Sequence, residues 1–373
     1  MPVLIGARIV TPEGVLDDGW VQVDGDRLAA VGTGPAPAGE IVDLGGGWLV
    51  PGFIDLHVHG GGGADVTKGA ADMATSVAFH RRHGTTRSLV SLMAQPVELM
   101  CEQLGWAASL AERGEIAGTH LEGPFLATAR CGAQRPESLL RPDPDVLRKL
   151  VEAGQGHLRT MTVAPELPGA LELIEDLVAS GVVAAVGHTD ASYAQAAAGF
   201  AAGASLATHL FNAMGPIGQR EPGPAIAALD AGVTVELIND GVHVHDALVR
   251  LVARAAPGSL AFVTDAISAT GVGDGDYTLG EQTVVVRDGE ARLAKGHSLA
   301  GSTLTLDVAL RRAVREVGLP IGVASAALSA NPARVLGLQD ETGAIRTGLA
   351  ADLVVLDDEL RVARVMQRGA WID

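Results

Sequence analysis

The sequence predicts an α/β protein, a (β/α)8 TIM-like barrel with a small β-sandwich domain built from both chain ends. In the middle of the chain, eight short apolar runs alternate with stretches of helical composition, which is the pattern of a parallel sheet covered by helices. At both ends, short β-like runs are separated by turn residues instead. A barrel takes about 250 residues, so 373 residues leave enough chain for a small second domain.

The two ends of the chain share the pattern of a small antiparallel sheet. Short β-like runs such as Val3–Ile5 and Leu353–Leu356 are separated by segments rich in Gly, Pro and Asp. We therefore predict that residues 1–51 and 346–373 form one β-sandwich domain. Residues 52–345 are predicted to form the barrel.

Eight predicted strands in the middle of the chain are short, apolar and rich in β-branched residues. They span residues 53–58, 86–92, 116–121, 159–163, 182–186, 205–208, 233–238 and 260–264. Stretches of helical composition lie between them, for example residues 70–83, 96–113, 144–153, 168–180 and 192–202. A doubly wound open sheet is the alternative, but eight repeats favour closure into a barrel.

Composition and charge exclude several classes of function. The formal net charge of −17 argues against binding to nucleic acid or to anionic membranes, because both need a basic surface. Cys101 and Cys131 are the only cysteines, so we expect no disulfide framework and a reducing, cytoplasmic location. No basic leader with an apolar core begins the chain, and no apolar run approaches the length of about 20 residues that spans a bilayer.

Polar residues follow six of the eight predicted strands. In a barrel the carboxyl ends of all strands meet at one mouth, where active sites lie. His57 and His59 have the spacing that places two strand side chains on one face, so together they can bind one metal ion. The residues at the six strand ends are His57 and His59, Glu122, His188, His209, His243 and Asp265.

The donor atoms of this set indicate a divalent first-row metal such as Zn²⁺ or Fe²⁺, one or two ions per subunit. Glu122 with His188 and His209 would form one site, while His57 and His59 would complete a neighbouring one. Such a metal activates water and polarises a carbonyl group. Asp265 is placed to take a proton from the water and to pass it to a leaving group. The set predicts hydrolysis of an amide or a related bond.

The motifs around these residues resemble those of the amidohydrolase superfamily and, within it, most closely the N-acetylglucosamine-6-phosphate deacetylases. They occur in the same order and span nearly the whole chain. The motifs are Pro51–Gly63, His120–Leu126, Gly187–Asp190, Thr208–Met214, Arg220–Gly223, Asp240–His243, Val263–Ile267 and Leu299–Ser302.

The resemblance implies removal of the acetyl group from N-acetylglucosamine 6-phosphate, an amino-sugar phosphate. Glu122, His188 and His209 would hold the principal metal, and His57 with His59 a second ion that only some members bind. Asp265 would act as general base and then as general acid.

The resemblance also implies a substrate site and a homodimer. The residues expected to contact the sugar phosphate are Gln134, Asn212, Ala213, Arg220 and His243. Arg220 would reach the phosphate in the partner subunit's site. A guanidinium binds phosphate through several parallel hydrogen bonds, which suits a chain of such negative net charge.

Gln134 departs from the family pattern, in which a histidine contacts the substrate near the metal. A glutamine forms hydrogen bonds but cannot transfer a proton at neutral pH. Two explanations are consistent with the sequence: Gln134 reduces turnover, or it is a replacement that traps bound ligand. We expect Gln134→His to raise kcat/KM.

Two other interpretations of the sequence remain open. One is a different amidohydrolase, such as a cyclic-amide hydrolase or a deacetylase of other N-acyl amino sugars, although no lysine stands at a strand end to serve as a carboxylated bridging ligand. The other is a barrel that has lost its chemistry and acts as a binding or scaffold protein, for which Gln134 is the one argument.

Overall fold

The computed structural model describes residues 1–372, and seven short strands precede the middle of the chain. Strands β5, β4, β1 and β6 form one sheet in this order. In β4, Gly19, Val21 and Val23 are buried while the residues between them are more exposed, as expected for a sheet with one covered face. The strands are β1 (Pro2–Ile5), β2 (Arg8–Thr11), β3 (Gly14–Leu16), β4 (Gly19–Asp24), β5 (Arg27–Thr33), β6 (Glu40–Asp43) and β7 (Trp48–Pro51).

The middle of the chain forms an eight-stranded parallel sheet in which each strand pairs with the next one along the chain. Two very short strands, β9 (Gly60–Gly61) and β10 (Ala64–Asp65), pair with each other beside it. The eight strands are β8 (Phe53–Asp55), β11 (Thr85–Met93), β12 (Gly118–Glu122), β13 (Leu158–Val163), β14 (Val183–Val186), β15 (Leu206–Ala207), β16 (Thr234–Ile238) and β17 (Leu260–Val263).

Contacts between the first and last of these strands close the sheet at its carboxyl end. Val58 and Ala266 form a parallel bridge just beyond β8 and β17. The backbone N–H of His59 donates to the carbonyl of Ala266 over 2.9 Å, and that of Asp265 donates to the carbonyl of His57 over 2.8 Å. The predicted (β/α)8 barrel is confirmed, with all eight strands at the predicted places in the chain.

Within residues 1–372, ten α-helices accompany the barrel, and local capping fixes where several of them begin. The carboxylate of Asp143 accepts from the backbone N–H groups of Asp145 and Val146 at the start of α3. Ser192 and Gln195 form a capping box at the start of α5. The helices are α1 (Ala70–Arg82), α2 (Val97–Glu112), α3 (Pro144–Ala153), α4 (Ala170–Ala179), α5 (Tyr193–Ala201), α6 (Gly223–Ala231), α7 (Asp246–Ala255), α8 (Leu306–Arg315), α9 (Ile321–Leu328) and α10 (Ala330–Val335). Across residues 1–372, no helix combines the length and apolar character that crossing a bilayer requires.

A three-stranded antiparallel sheet follows β17, and the sequence analysis did not predict it. Its strands are β18 (Gly275–Leu279), β19 (Gln282–Arg287) and β20 (Glu290–Leu293). The sheet has a small apolar core of its own, in which Leu279, Val284 and Val286 pack with Met93 and Ile267 of the barrel. This contact places the sheet beside the barrel mouth.

The C-terminal strands β21 (Leu353–Leu356), β22 (Val362–Gln367) and β23 (Ala370–Ile372) join strands from the other end of the chain. The resulting sheet has the order β23-β22-β21-β7-β2-β3. Leu4 and Val21 of the first sheet share one apolar cluster with Leu49, Leu353 and Met366 of this one. Both chain ends thus build a unit of two packed sheets. The boundaries at residues 51 and 346 stay a prediction.

Candidate active site

The carboxyl ends of the barrel strands surround a cavity of about 330 Å³ at the mouth. Among the residues predicted from the sequence, His57 lies buried beneath this cavity and Arg220 lies outside it, exposed to solvent. The other predicted residues all line the cavity: His59, Glu122, Gln134, His188, His209, Asn212, Ala213, His243 and Asp265.

Glu122, His188 and His209 form a compact group on one side of the mouth. Oε1 of Glu122 lies 2.9 Å from Nε2 of His188 and 3.0 Å from Nε2 of His209. The two Nε2 atoms are 3.1 Å apart. All three side chains direct one ligand atom to a common point, which is the arrangement expected of a metal site with three protein ligands.

His57, His59 and Asp265 form a second group beside the first. The Nε2 atoms of the two histidines are 3.0 Å apart, and Oδ1 of Asp265 lies 3.3 Å from Nε2 of His59. Glu122 lies between the groups, with Oε1 at 3.4 Å from Nε2 of His57 and Oε2 at 3.5 Å from Nε2 of His59. The structure therefore brings all six candidate residues together.

Acceptors behind three of the histidines settle which ring nitrogen faces the mouth. Nδ1 of His59 donates to the carbonyl of Ser91 over 3.0 Å, and Nδ1 of His188 donates to the carbonyl of Arg130 over 2.9 Å. Nδ1 of His57 lies 3.3 Å from Oε2 of Glu236. With the proton on Nδ1, the lone pair of each Nε2 is directed to the group of ligand atoms.

Glu236 is a buried residue of the site that was not predicted from the sequence. Its carboxylate is buried in β16, and Oε2 also accepts from the backbone N–H of His209 over 3.2 Å. Through these two bonds it holds one histidine of each group. The sequence did contain a signal for Glu236, because a charged residue inside the apolar run Val235–Ile238 is rarely buried without a partner.

The backbone at three of the strand ends adopts a conformation that few L-residues adopt. His188, His209 and Asp265 have φ angles of 47°, 25° and 49°. Positive φ outside glycine costs free energy and is concentrated at functional sites. Here each left-handed residue follows a strand and carries one of the candidate side chains into the mouth.

Burial and mutual charge shift the pKa values of the second group and of Glu122. Burial lowers the pKa of His59, but hydrogen bonds with Asp265 and Glu122 outweigh it and raise the pKa to about 9. Burial likewise opposes charge on His57, yet the carboxylates of Glu122 and Asp265 raise its pKa well above the ordinary value. Burial raises the pKa of Glu122, whereas His188 and His57 hold it well below its usual range. The carboxylates therefore need positive charge in this pocket.

The donor set fits a bound divalent cation. The ion pairs that Glu122 and Asp265 make within residues 1–372 are all with histidines, so no lysine or arginine of the described chain neutralises them. A buried charge without a partner is strongly unfavourable. In a tetrahedral zinc site with metal–nitrogen distances near 2.0–2.1 Å, two ligand nitrogens lie about 3.3 Å apart. The observed separations of 3.0 and 3.1 Å are close to this value.

His243 stands on another side of the cavity and is held by Asp240. Its Nδ1 donates to Oδ2 of Asp240 over 2.6 Å, and Oδ1 of Asp240 accepts from the backbone N–H groups of Val242 and His243. Burial lowers the pKa of His243, but the hydrogen bond and the charge of Asp240 outweigh it and raise the pKa above 6.5. Asp240 thus favours the cationic form of the ring that lines the cavity.

Three further predicted residues line the cavity, and Gln134 contacts the first group directly. Its Nε2 donates to Oε2 of Glu122 over 2.6 Å. The side-chain amide of Asn212 donates to the carbonyl of His209 over 3.3 Å, and the carbonyl of Ala213 accepts from the backbone N–H of Thr189. Their contacts with substrate stay a prediction, as does the reach of Arg220 into a partner's site.

The glycine run after His59 packs against protein. A Cβ on Gly60 would lie 2.5 Å from the carbonyl oxygen of Ala64, and one on Gly61 would lie 2.6 Å from Nε2 of His80. His80 is itself buried, and burial lowers its pKa to about 4. Close packing against the Ala64 backbone therefore accounts for Gly60, and close packing against the His80 ring accounts for Gly61.

Residues 48–372 match the Amidohydrolase family. The chain belongs to the amidohydrolase family. Within this family, it is 44% identical to the N-acetyl-D-glucosamine-6-phosphate deacetylase of Mycobacterium smegmatis, whose crystal structure superposes with a TM-score of 0.96 over 100% of both chains. The corresponding deacetylase from Thermotoga maritima is 32% identical, with a TM-score of 0.89 over 99% of both chains.

Curated relatives of this amidohydrolase carry two substrate names. The N-acetylgalactosamine-6-phosphate deacetylase of Escherichia coli O157:H7 is 35% identical over 98% of both chains. The human N-acetylglucosamine-6-phosphate deacetylase is 37% identical over 90% of this chain and 86% of its own. Both names describe removal of an acetyl group from an amino-sugar phosphate.

Proposed function

We propose that this amidohydrolase removes the acetyl group of N-acetylglucosamine 6-phosphate by metal-dependent hydrolysis, giving glucosamine 6-phosphate and acetate. The observation that carries the proposal is the presence of two neighbouring ligand groups at the barrel mouth beside one cavity. Glu122, His188 and His209 form the first group, and His57, His59 and Asp265 form the second. The names of the relatives supply the substrate class.

Glu122, His188 and His209 would hold the principal ion, and His57 with His59 would hold a second one. Zinc or iron suits nitrogen and carboxylate donors in a three-ligand site. When bound there, such an ion would lower the pKa of water and polarise the acetyl carbonyl. Replacing both His57 and His59 by Ala should remove one ion per chain and leave the other. Loss of all metal in this variant would show that the principal ion depends on the histidine pair.

Asp265 is the residue that we assign to proton transfer. Burial raises the pKa of its carboxyl group, but His57 and His59 outweigh burial and lower the pKa below its ordinary value, so the group is an anion at neutral pH. It accepts a proton from the attacking water and then gives it to the amide nitrogen as the C–N bond breaks. The amine leaves as glucosamine 6-phosphate and the acyl group as acetate.

The phosphate end of the substrate would lie near His243, with Asn212 and Ala213 contacting the sugar phosphate. In a homodimer, Arg220 would add a guanidinium from the partner subunit. Mixing Arg220→Ala subunits with Asp265→Asn subunits tests this arrangement. If Arg220 acts across the interface, mixed dimers regain part of the activity that each variant lacks, and no recovery in dimers that do form contradicts it.

Acetate release from N-acetylglucosamine 6-phosphate, measured with metal-loaded protein, tests the proposed reaction. The unphosphorylated sugar is the matched comparison for the roles of His243 and Arg220. A much higher kcat/KM for the phosphorylated sugar supports those roles, and equal values contradict them. Tight binding of the sugar phosphate without any acetate release would favour the scaffold interpretation.

N-acetylgalactosamine 6-phosphate is a second candidate substrate, because the Escherichia coli relative named for it covers 98% of both chains. The two sugars are epimers at C4 and carry the same acetamide and phosphate groups. Comparing their kcat/KM values in one competition assay decides between them. The scarcity of cysteine supports a reducing, cytoplasmic location for this reaction.

A further inference from the structure

Gln134 is almost fully buried, with 2% of its surface exposed, and its side-chain amide is fixed at both ends. Oε1 accepts from the backbone N–H of Ala94 over 2.9 Å, and Nε2 donates to Oε2 of Glu122 over 2.6 Å. A backbone N–H only donates and an ionised carboxylate only accepts, so just one orientation of the amide satisfies both neighbours.

The two carboxylate oxygens of Glu122 therefore have different partners. Oε1 lies 2.9 and 3.0 Å from the Nε2 atoms of His188 and His209, while Oε2 carries the amide of Gln134. We propose that Gln134 is a positioning residue that holds Glu122 with Oε1 toward the two histidines and so makes this group the tighter metal position. This inference rests on the proposed metal-dependent function.

The chain segment that ends at Gln134 holds the same group at two further atoms. The backbone N–H of Ala127 donates to the carbonyl of His188 over 3.0 Å. Nδ1 of His188 donates to the carbonyl of Arg130 over 2.9 Å. Residues 127–134 thus fix two of the three ligands, His188 and Glu122. The hydrogen bond from Gln134 to Glu122 lies at the C-terminal end of the segment.

A histidine at position 134 can form the same two hydrogen bonds. A neutral imidazole has one nitrogen that accepts and one that donates, as the oxygen and nitrogen of a carboxamide do. It can therefore accept from Ala94 and donate to Glu122. From this geometry we expect Gln134→His to leave the metal affinity unchanged, and the gain in kcat/KM expected from the sequence stays a separate prediction.

Zinc affinity measured by competition with a chelator tests this role without relying on catalysis. Gln134→Leu removes both hydrogen bonds at similar volume, and Gln134→His keeps both. Gln95→Leu is the matched control, because Gln95 adjoins Ala94 but its Oε1 accepts from Gln103. We expect Gln134→Leu to weaken the tighter zinc site about 10–100-fold, while the histidine variant and the control match wild type.

Equal zinc affinity of wild type and Gln134→Leu would overturn the inference, as would equal weakening in the leucine and histidine variants. If Gln134→Leu does not fold by circular dichroism, Gln134→Met gives the same decision, because its apolar side chain has a similar length and volume but cannot donate to Glu122. Wild-type protein that binds neither zinc nor iron would contradict the proposed function itself, and this inference with it.

Discussion

The carboxyl groups of Glu122, Glu236 and Asp265 lie buried against imidazole rings at the barrel mouth. Each carboxylate has a defined neighbour: Glu236 contacts His57, Asp265 contacts His59, and Glu122 contacts both ligand groups. Desolvation of so much negative charge is tolerable only when protons or metal ions compensate it. The free energy of folding at the mouth therefore depends on the same positive charges, protons or metal ions, that the proposed reaction needs.

Replacing Asp265 by Asn should remove catalysis while retaining the shape of the site. The amide cannot accept the proton of the attacking water, and loss of a general base typically lowers rates about 10²–10⁴-fold. We expect kcat to fall within this range, with the ion at Glu122, His188 and His209 still present by metal analysis. Activity within a factor of two or so of wild type would remove Asp265 from the proton-transfer role.

The pair of His243 and Asp240 predicts a defined pH dependence of substrate binding. Because the folded pKa of His243 lies above 6.5, the ring stays cationic to higher pH than a free histidine, and its attraction for phosphate is lost as the pH rises through that pKa. KM for the sugar phosphate should rise in alkali. In Asp240→Asn the pKa of His243 falls, so the rise should begin at lower pH.

The unphosphorylated sugar is the control for this pH dependence. The KM of that sugar should not change as His243 loses its proton, because it has no phosphate to contact the ring. The sugar phosphate is a dianion well above its second pKa of about 6. The KM values should therefore be compared above about pH 7, where the charge of the phosphate no longer changes. Identical profiles for wild type and Asp240→Asn would show that Asp240 does not set the charge of His243.

At the level of single residues, the sequence predicted those side chains that follow strands, since strand ends of a barrel converge whatever the details of packing. It did not predict that Gln134 faces Glu122 or that Glu236 supports His57 and His209. Both contacts join residues far apart in the chain, and nothing in local sequence fixes them.

Among the structural elements, the segment of residues 127–134 bears most directly on the site. Gly132 in this segment has a φ angle of 58°, and a Cβ on it would lie 3.1 Å from Cε1 of His188. The segment therefore packs on the ring of a candidate ligand as well as bonding to it. A change in the backbone of this segment is therefore expected to displace the ring of His188.

Gly132→Ala should weaken metal binding by displacing His188. The left-handed backbone conformation costs an L-residue roughly 1–2 kcal/mol, and the added methyl group presses on the imidazole ring. Gly156→Ala is a matched control, since Gly156 also has positive φ but its Cβ would meet nothing within 4 Å. Zinc affinity should fall in the first variant alone, and equal loss in both would assign the effect to backbone strain.

The eight barrel strands were predictable because their apolar runs alternate regularly with helical stretches. The sheet of β18–β20 was missed, although Thr283–Val286 is a β-branched run that follows a turn at Gly280. Its place beside the mouth depends on packing of Leu279 and Val284 with Met93 and Ile267, which no local pattern reveals.

Across the whole molecule, a buried ion pair ties the barrel to the unit built from the chain ends. The guanidinium of Arg87 in β11 lies 3.1 Å from Oδ2 of Asp352, just before β21. Oδ2 of Asp352 also accepts from Thr342, and Oδ1 accepts from the backbone N–H of Arg368. Both charged side chains are buried, and Asp352 is the buried one of two carboxylates near Arg87, since Glu341 at 3.4 Å is partly exposed.

Asp352→Ala should destabilise the fold strongly, because it leaves the charge of Arg87 buried with less compensation. Removing one partner of a buried pair costs about 3–5 kcal/mol. Thermal unfolding at a fixed heating rate should show a clear fall in Tm. Asp358→Ala, which breaks the exposed pair with Arg8, is the control and should leave Tm nearly unchanged. Similar Tm values for both variants would refute the interdomain role.

The most direct test of the proposed function is acetate release from N-acetylglucosamine 6-phosphate by one preparation before and after removal and restoration of metal. The proposal predicts that release stops in metal-free protein, returns with Zn²⁺ or Fe²⁺, and does not return in His209→Ala. Undiminished release without metal, or no release from wild-type protein that has bound metal, would contradict metal-dependent deacetylation.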